Sequence, residues 1–284
     1  MKRVKRLALW AVWGGVLVGL GLFGCHRDEF ERNPNLRLLY SYREPSFGRS
    51  CYYPIWASNG RVYFTFGSEG VGFGSKLLSI REDGTDLDTV FVPPEGDDLY
   101  TFDLSPDSST MAVLVSNKIL IMTLDGVVLD TMANPKNFGP YIKFSHNGEY
   151  LFVGGGLDHY IYKVQVGDSV YEMYTWVPDT IGIAGFEVTS DDSIVVGYRW
   201  PRFCPTDSSL LVYLAYRANR WMLKNLNTGE EVELDTDPYK WTVYETTPCF
   251  SPDGKHLVFS AGEGQYSDGI IWAYLELWVL EDVR

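Results

Sequence analysis

Three ionisable residues make the sharpest chemical suggestion in this chain of 284 residues: Asp103, Lys143 and Glu187. Each stands just before an apolar residue (Leu104, Phe144, Val188) that leads into a turn rich in Ser, Asp, Asn and Gly. Two carboxylates and an amine at equivalent places suit a small polar pocket for a charged ligand or a peptide end. They equally suit a structural cluster in which the Lys neutralises flanking acids, with water around it. Tyr53 and Tyr141 lie two residues before Ile55 and Lys143, so strand alternation puts them on the same side as that row.

A second group is Trp200, Arg202 and Phe203, in "RWPRFCPTDSSLLVYLAYRAN" (199–219). With two prolines nearby, this reads as a loop. Trp and Arg are enriched at binding hot spots, so it is a candidate contact surface; the alternative is that these aromatics cover a sheet edge. Other motifs fall short. "GSEGVGFGSK" (67–76) misses the phosphate-loop spacing and joins two strands. "EDGTDLD" (82–88) lacks the spacing of a calcium loop and reads as a hairpin turn. The four His show no metal-ligand spacing, and no GxSxG elbow occurs. No catalytic group, metal or cofactor is therefore expected.

The elements that position these residues are repeats. "PCFSPDGKHLVFS" (248–260) is the clearest copy. Related copies are "PIWASNGRVYFTF" (54–66), "FDLSPDSSTMAVLV" (102–115), "IKFSHNGEYLFVG" (142–154) and "FEVTSDDSIVVGY" (186–198). Pro presets φ, Asp or Asn bonds nearby backbone N–H groups, and Gly accepts positive φ. An alternating strand follows, which predicts two distinct faces. The first four copies each precede a second hairpin: 76–92, 118–132, 160–174 and 221–234. The fifth is followed by one strand, "LELWVLEDV" (275–283).

Four-stranded units at this period predict an all-β fold, a single β-propeller over 36–284. Five blades are expected, the fourth enlarged by 199–219; a sixth follows if that region hides a degenerate unit. The unassigned strand "LRLLYSY" (36–42) is expected to complete the last blade and close the ring. The "FSPDGK" element (Phe250 to Lys255) with its strand resembles the TolB-like group of WD-type propeller repeats. Ser105-Pro106-Asp107 matches well, and Ser145-His146-Asn147-Gly148 less closely. The resemblance implies the fold and is almost silent on function.

The first residues differ. Lys2, Arg3, Lys5 and Arg6 precede 18 uncharged residues, "LALWAVWGGVLVGLGLFG", and then Cys25. This is the pattern of an export signal over 1–24, and Leu22-Phe23-Gly24-Cys25 resembles a bacterial lipobox. The resemblance implies lipidation at Cys25, a tether over 25–35 and a body held at the cell envelope, periplasmic or on the outer surface. An uncleaved membrane anchor is the other reading, and both place the body outside the cytoplasm. The whole chain carries −13; residues beyond 24 hold 20 basic against 37 acidic residues, or −17. Such a body is repelled by nucleic acid and anionic lipid. Cys51, Cys204 and Cys249 allow at most one disulfide. The function expected is non-catalytic binding of a protein or peptide in the envelope. The alternatives are a ligand-sensing or enzymatic propeller with its site in the channel, or a purely structural component.

Overall fold

The computed structural model describes residues 32–42, 49–68, 75–134, 141–154, 159–177, 185–215, 220–239, 242–244, 248–263, 265–267, 270–272 and 275–283. The export segment, Cys25, most of the tether, residues 69–74 and Thr247 lie outside these.

Every regular element among the described residues is a strand. After β1 (Leu36–Tyr40), blade one runs β2 (Arg49–Trp56), β3 (Arg61–Ser68), β4 (Lys76–Arg81) and β5 (Asp88–Phe91). Blade two is β6 (Leu99–Leu104), β7 (Thr110–Val115), β8 (Lys118–Thr123) and β9 (Val128–Ala133). Blade three is β10 (Tyr141–Phe144), β11 (Tyr150–Gly154), β12 (Tyr160–Gln165) and β13 (Glu172–Trp176). A two-stranded sheet follows, β14 (Glu187–Val188) with β15 (Ile194–Val195). Blade four is β16 (Arg199–Cys204), β17 (Asp207–Ala215), β18 (Arg220–Asn225) and β19 (Glu231–Glu233). Then come β20 (Thr242–Tyr244), β21 (Cys249–Phe250), β22 (Leu257–Glu263), the hairpin β23 (Gln265–Ser267) with β24 (Ile270–Trp272), and β25 (Glu276–Leu280). Blade five is β20 and β21 on β22, then β25, then β1.

The protein is thus a five-bladed β-propeller, and its ring closes through the N-terminal strand as expected. Strand β1 pairs antiparallel with β25, Leu36 opposite Leu280 and Leu38 opposite Trp278. Leu36 and Leu39 are buried. Arg37 Nε pairs with Glu281 at 2.9 Å, and the Ser41 hydroxyl donates to buried Glu276 at 2.5 Å.

The make-up of blade four corrects the sequence reading. The fourth repeat copy does not open a four-stranded blade; it forms only the hairpin β14–β15. Residues 199–215, expected as an inserted loop, are the first two strands of the blade. The innermost strands follow one another as β2, β6, β10, β14, β16, β21 and back to β2. The hairpin therefore fills one inner place without outer strands.

The turns form as their residue types dictate. In blade two the Ser105 hydroxyl donates to Asp107 Oδ1 at 2.6 Å, and the Ser109 N–H donates to the same oxygen at 3.0 Å. Ser251 and Lys255 repeat this around Asp253, at 2.6 and 3.1 Å. Thr189 and Ser193 do so around Asp191. The expected alternation, however, is absent from the middle strands. In β7 the run from Met111 to Val115 is wholly buried, and β4, β11 and β22 are nearly so. Blades one, two and five pack on a neighbouring blade at both faces, and blade three packs on blade two and on the β14–β15 hairpin. Met111 and Val113 join the core shared with blade one, while Ala112 and Leu114 join the core shared with blade three. The outer strands β9, β13 and β19 are mostly exposed.

Leu39→Ala should destabilise the ring seam by about 2–5 kcal/mol, the range for emptying a buried Leu site, read by urea denaturation. Asp107, Asp191 and Asp253 have lowered pKa values, chiefly because side-chain hydroxyls donate to them. Their stabilising effect is present above the ordinary carboxylate range and lost as pH falls through the depressed values. The triple Asp→Asn variant keeps the turn acceptors, so melting temperature should fall less steeply with acid between about pH 5 and about pH 2. An unchanged acid profile would refute this role.

Candidate functional site

The six innermost strands each bring one residue to a common position: Ile55, Asp103, Lys143, Glu187, Arg202 and Cys249. All lie on the innermost strands of the ring. Lys143 Nζ is 3.7 Å from Asp103 and 3.3 Å from Glu187. Arg202 Nη1 is 3.4 Å from each of the same carboxylates. Two anions and two cations therefore balance. The side chains of Asp103, Lys143 and Glu187 are no more than 10% exposed. The Phe144 N–H donates to Asp103 Oδ2 at 3.0 Å, and the Val188 N–H donates to Glu187 Oε1 at 3.1 Å.

The sequence brings Asp103, Lys143 and Glu187 together as read; Arg202 was missed as their fourth member. Burial works against the Arg202 charge, but the carboxylates of Glu187 and Asp103 outweigh it and raise its pKa. Beside it, burial pushes the Cys249 thiol up while Arg202 and Lys143 pull the other way. Cys249 Sγ accepts the Trp56 N–H at 3.4 Å. Cys51 is raised well above its usual value, mainly by burial. Cys51, Cys204 and Cys249 are buried thiols, with no disulfide among them.

A signal for Arg202 was present. "CPTDSS" (204–209) contains the Pro, Asp and Ser of the repeat turn, with one residue more than "SPDSS". Ser209 N–H and hydroxyl both bond Asp207 Oδ1, at 3.1 and 2.6 Å, as Ser109 does with Asp107. Three of the six inner strands, β2, β14 and β16, also share an entry bend two residues before the ring position. Tyr53 and Trp200 each sit at φ 52°, Gly185 at φ 133°. Gly185 is required there, since a Cβ would meet Pro201 and the Trp200 backbone at 3.1 Å.

Trp200 and Phe203 accordingly belong to strand β16 and not to a binding loop. Trp200 is buried, hydrogen-bonds Tyr141, and carries the Arg199 guanidinium 4.0 Å above its ring. Phe203 is half-buried opposite Leu211. Burial raises the Tyr141 phenol, and the Trp200 bond opposes it. Tyr53 packs beside Tyr52 and Leu275. The acids of 82–88 act separately. Asp83 accepts from Thr85, while Asp86 pairs with Arg61 at 2.7 Å and Arg81 at 3.2 Å. Among the described residues no His, Cys, Asp and Glu gather as a metal site.

No family profile matches the chain, and no curated protein matches it. Solved structures share its fold. A chain of the mitotic checkpoint complex is similar at TM-score 0.54 and 16% identity, over 92% of this chain and 98% of that one. Virginiamycin B lyase from Staphylococcus aureus, solved with quinupristin, is similar at TM-score 0.53 and 16% identity, over 87% and 100%. A luciferin-regenerating enzyme is similar at TM-score 0.55 and 13% identity, over 83% and 93%. These likenesses show the propeller fold alone; the fold carries binding proteins and enzymes alike.

Removing one partner of a buried ion network leaves uncompensated charge. Arg202→Met should cost about 3–5 kcal/mol in urea denaturation, and adding Glu187→Gln should recover part of that. Equal stability of Arg202→Met and the parent would show that the four charges are not coupled.

Proposed function

We propose that the protein is a non-catalytic binding propeller of TolB-like, WD-type lineage, exported by residues 1–24 and held at the envelope by lipid on Cys25. It engages a protein or peptide through the rim of blade three. The observation that carries this reading is the apolar surface of β13 and the turn before it. Val170, Met173, Tyr174 and Trp176 are 63, 64, 43 and 53% exposed. Four large apolar residues within seven positions are an unusual outward face. Met and aromatic residues are the types enriched in interface cores. Strand β13 is also a sheet edge, so its outer backbone groups can take an added strand. The channel supports binding on the outside, because its four charged residues satisfy one another.

A photoreactive residue replacing Trp176 should give a reproducible crosslinked adduct in intact membranes. The same residue at Val232, an exposed apolar position on β19, should not. Trp176→Ala should weaken the captured complex by about 2 kcal/mol, as for an interface hot spot. Fatty-acid labelling should mark the wild type and vanish in Cys25→Ala. Equal crosslinking at both positions would refute the blade-three contact, and unlabelled wild type would refute the anchor.

A further inference from the structure

The seam between blades five and one holds a surface cavity of about 430 Å³, separate from both the channel charges and the blade-three rim. Its lining comes from five separate segments: Arg37 of β1, Trp56 at the end of β2, Glu82 and Asp83 after β4, His256 before β22, and Glu281 after β25. The volume falls in the range of small-ligand sites, roughly 300–1,000 Å³.

Two features of the lining ask for a ligand. Trp56 is only 8% exposed, and its ring stacks on His256 with centroids 6.2 Å apart. Trp56 Nε1 and His256 Nδ1 are both buried, yet neither has a hydrogen-bond partner among the described residues. A buried N–H without an acceptor is unfavourable by about 1–3 kcal/mol, so an incoming oxygen is favoured there. The second feature is charge. Arg37 is matched by Glu281 at 2.9 Å, so Glu82 and Asp83 give the lining its net negative charge, with Arg81 acting on Asp83 from outside the lining. Hydrogen bonds from the Thr85 hydroxyl and N–H lower the Asp83 pKa and keep it anionic. An aromatic face beside carboxylates attracts a cation, and the chain's net charge of −13 draws cations towards it.

We infer that this cavity binds a basic side chain of a peptide, Lys or Arg, together with the carbonyl of the residue that carries it. The ammonium or guanidinium meets Glu82 and Asp83 beside the Trp56 ring, and the carbonyl oxygen accepts from Trp56 Nε1. This site does not depend on the blade-three contact.

Calorimetric titration of the full-length protein in detergent tests the assignment. The probes are N-acetyl-lysine N-methylamide, its norleucine counterpart, and a blocked Gly-Gly-Lys-Gly-Gly peptide. The lysine compound should bind at least about tenfold more tightly than norleucine, since only it carries the charge. The variant Glu82→Gln with Asp83→Asn should weaken it about tenfold at unchanged melting temperature, because Asn keeps the Oδ1 that Thr85 bonds. Trp56→Phe keeps the ring and loses the N–H, and should weaken binding severalfold. Tighter binding of the peptide than of the single residue supports a peptide ligand; equal affinity assigns a free amino-acid derivative and overturns the peptide assignment. Norleucine binding as well as lysine, an indifferent double variant, or no binding of any probe overturns the site.

Discussion

The fold rests on the burial of both faces of middle strands, most fully in β4, β7, β11 and β22. Strand β7 shows the constraint most plainly, with Ala112 and Leu114 turned to one neighbour and Met111, Val113 and Val115 to the other. A blade built this way has no solvent face and cannot be stable alone. Each needs two partners, and only a closed ring supplies two partners to all. Closure is therefore a condition of the whole core, and β1 on β25 is where the chain meets it. Glu276 reinforces that seam, accepting from Ser41 on one side and from Tyr239 on the other.

The same closure creates the channel and sets its chemistry. Six inner strands bring six side chains to one position, and four of them are charged. Unlike charges there must balance, because water is largely excluded and an odd charge would be costly. Asp103 and Glu187 each face both Lys143 and Arg202, so no charge is left over. The hairpin β14–β15 matters for this reason. Though it supplies only two short strands, it delivers Glu187.

Much of this was legible in the sequence. The Ser-Pro-Asp turns fixed the register, and the register placed Asp103, Lys143 and Glu187 in one row. Residue Arg202 escaped because Pro201 makes "RWPRF" look unlike a strand. Its register shifts between Arg199 and Arg202, so the missing N–H of Pro201 falls where the ladder is already interrupted. Trp200, whose type suits either a contact surface or a sheet-edge cover, fills the core at that bend. The Trp56–His256 cavity left no mark in any one stretch. Arg37, Trp56, Glu82 and His256 are far apart in sequence and meet only once the ring has closed.

The strand that closes the ring is also the first strand among the described residues, and this has a mechanical meaning. A pull on the N-terminal segment is not spread over the body; it enters at β1 and is carried by the β1–β25 ladder. The Arg37–Glu281 and Ser41–Glu276 contacts lie along that load path. Tension that strips β1 would uncover the β25 edge and free both blades flanking the seam. The N-terminal segment leads straight into the clasp of the ring, so force applied there is felt by the whole propeller.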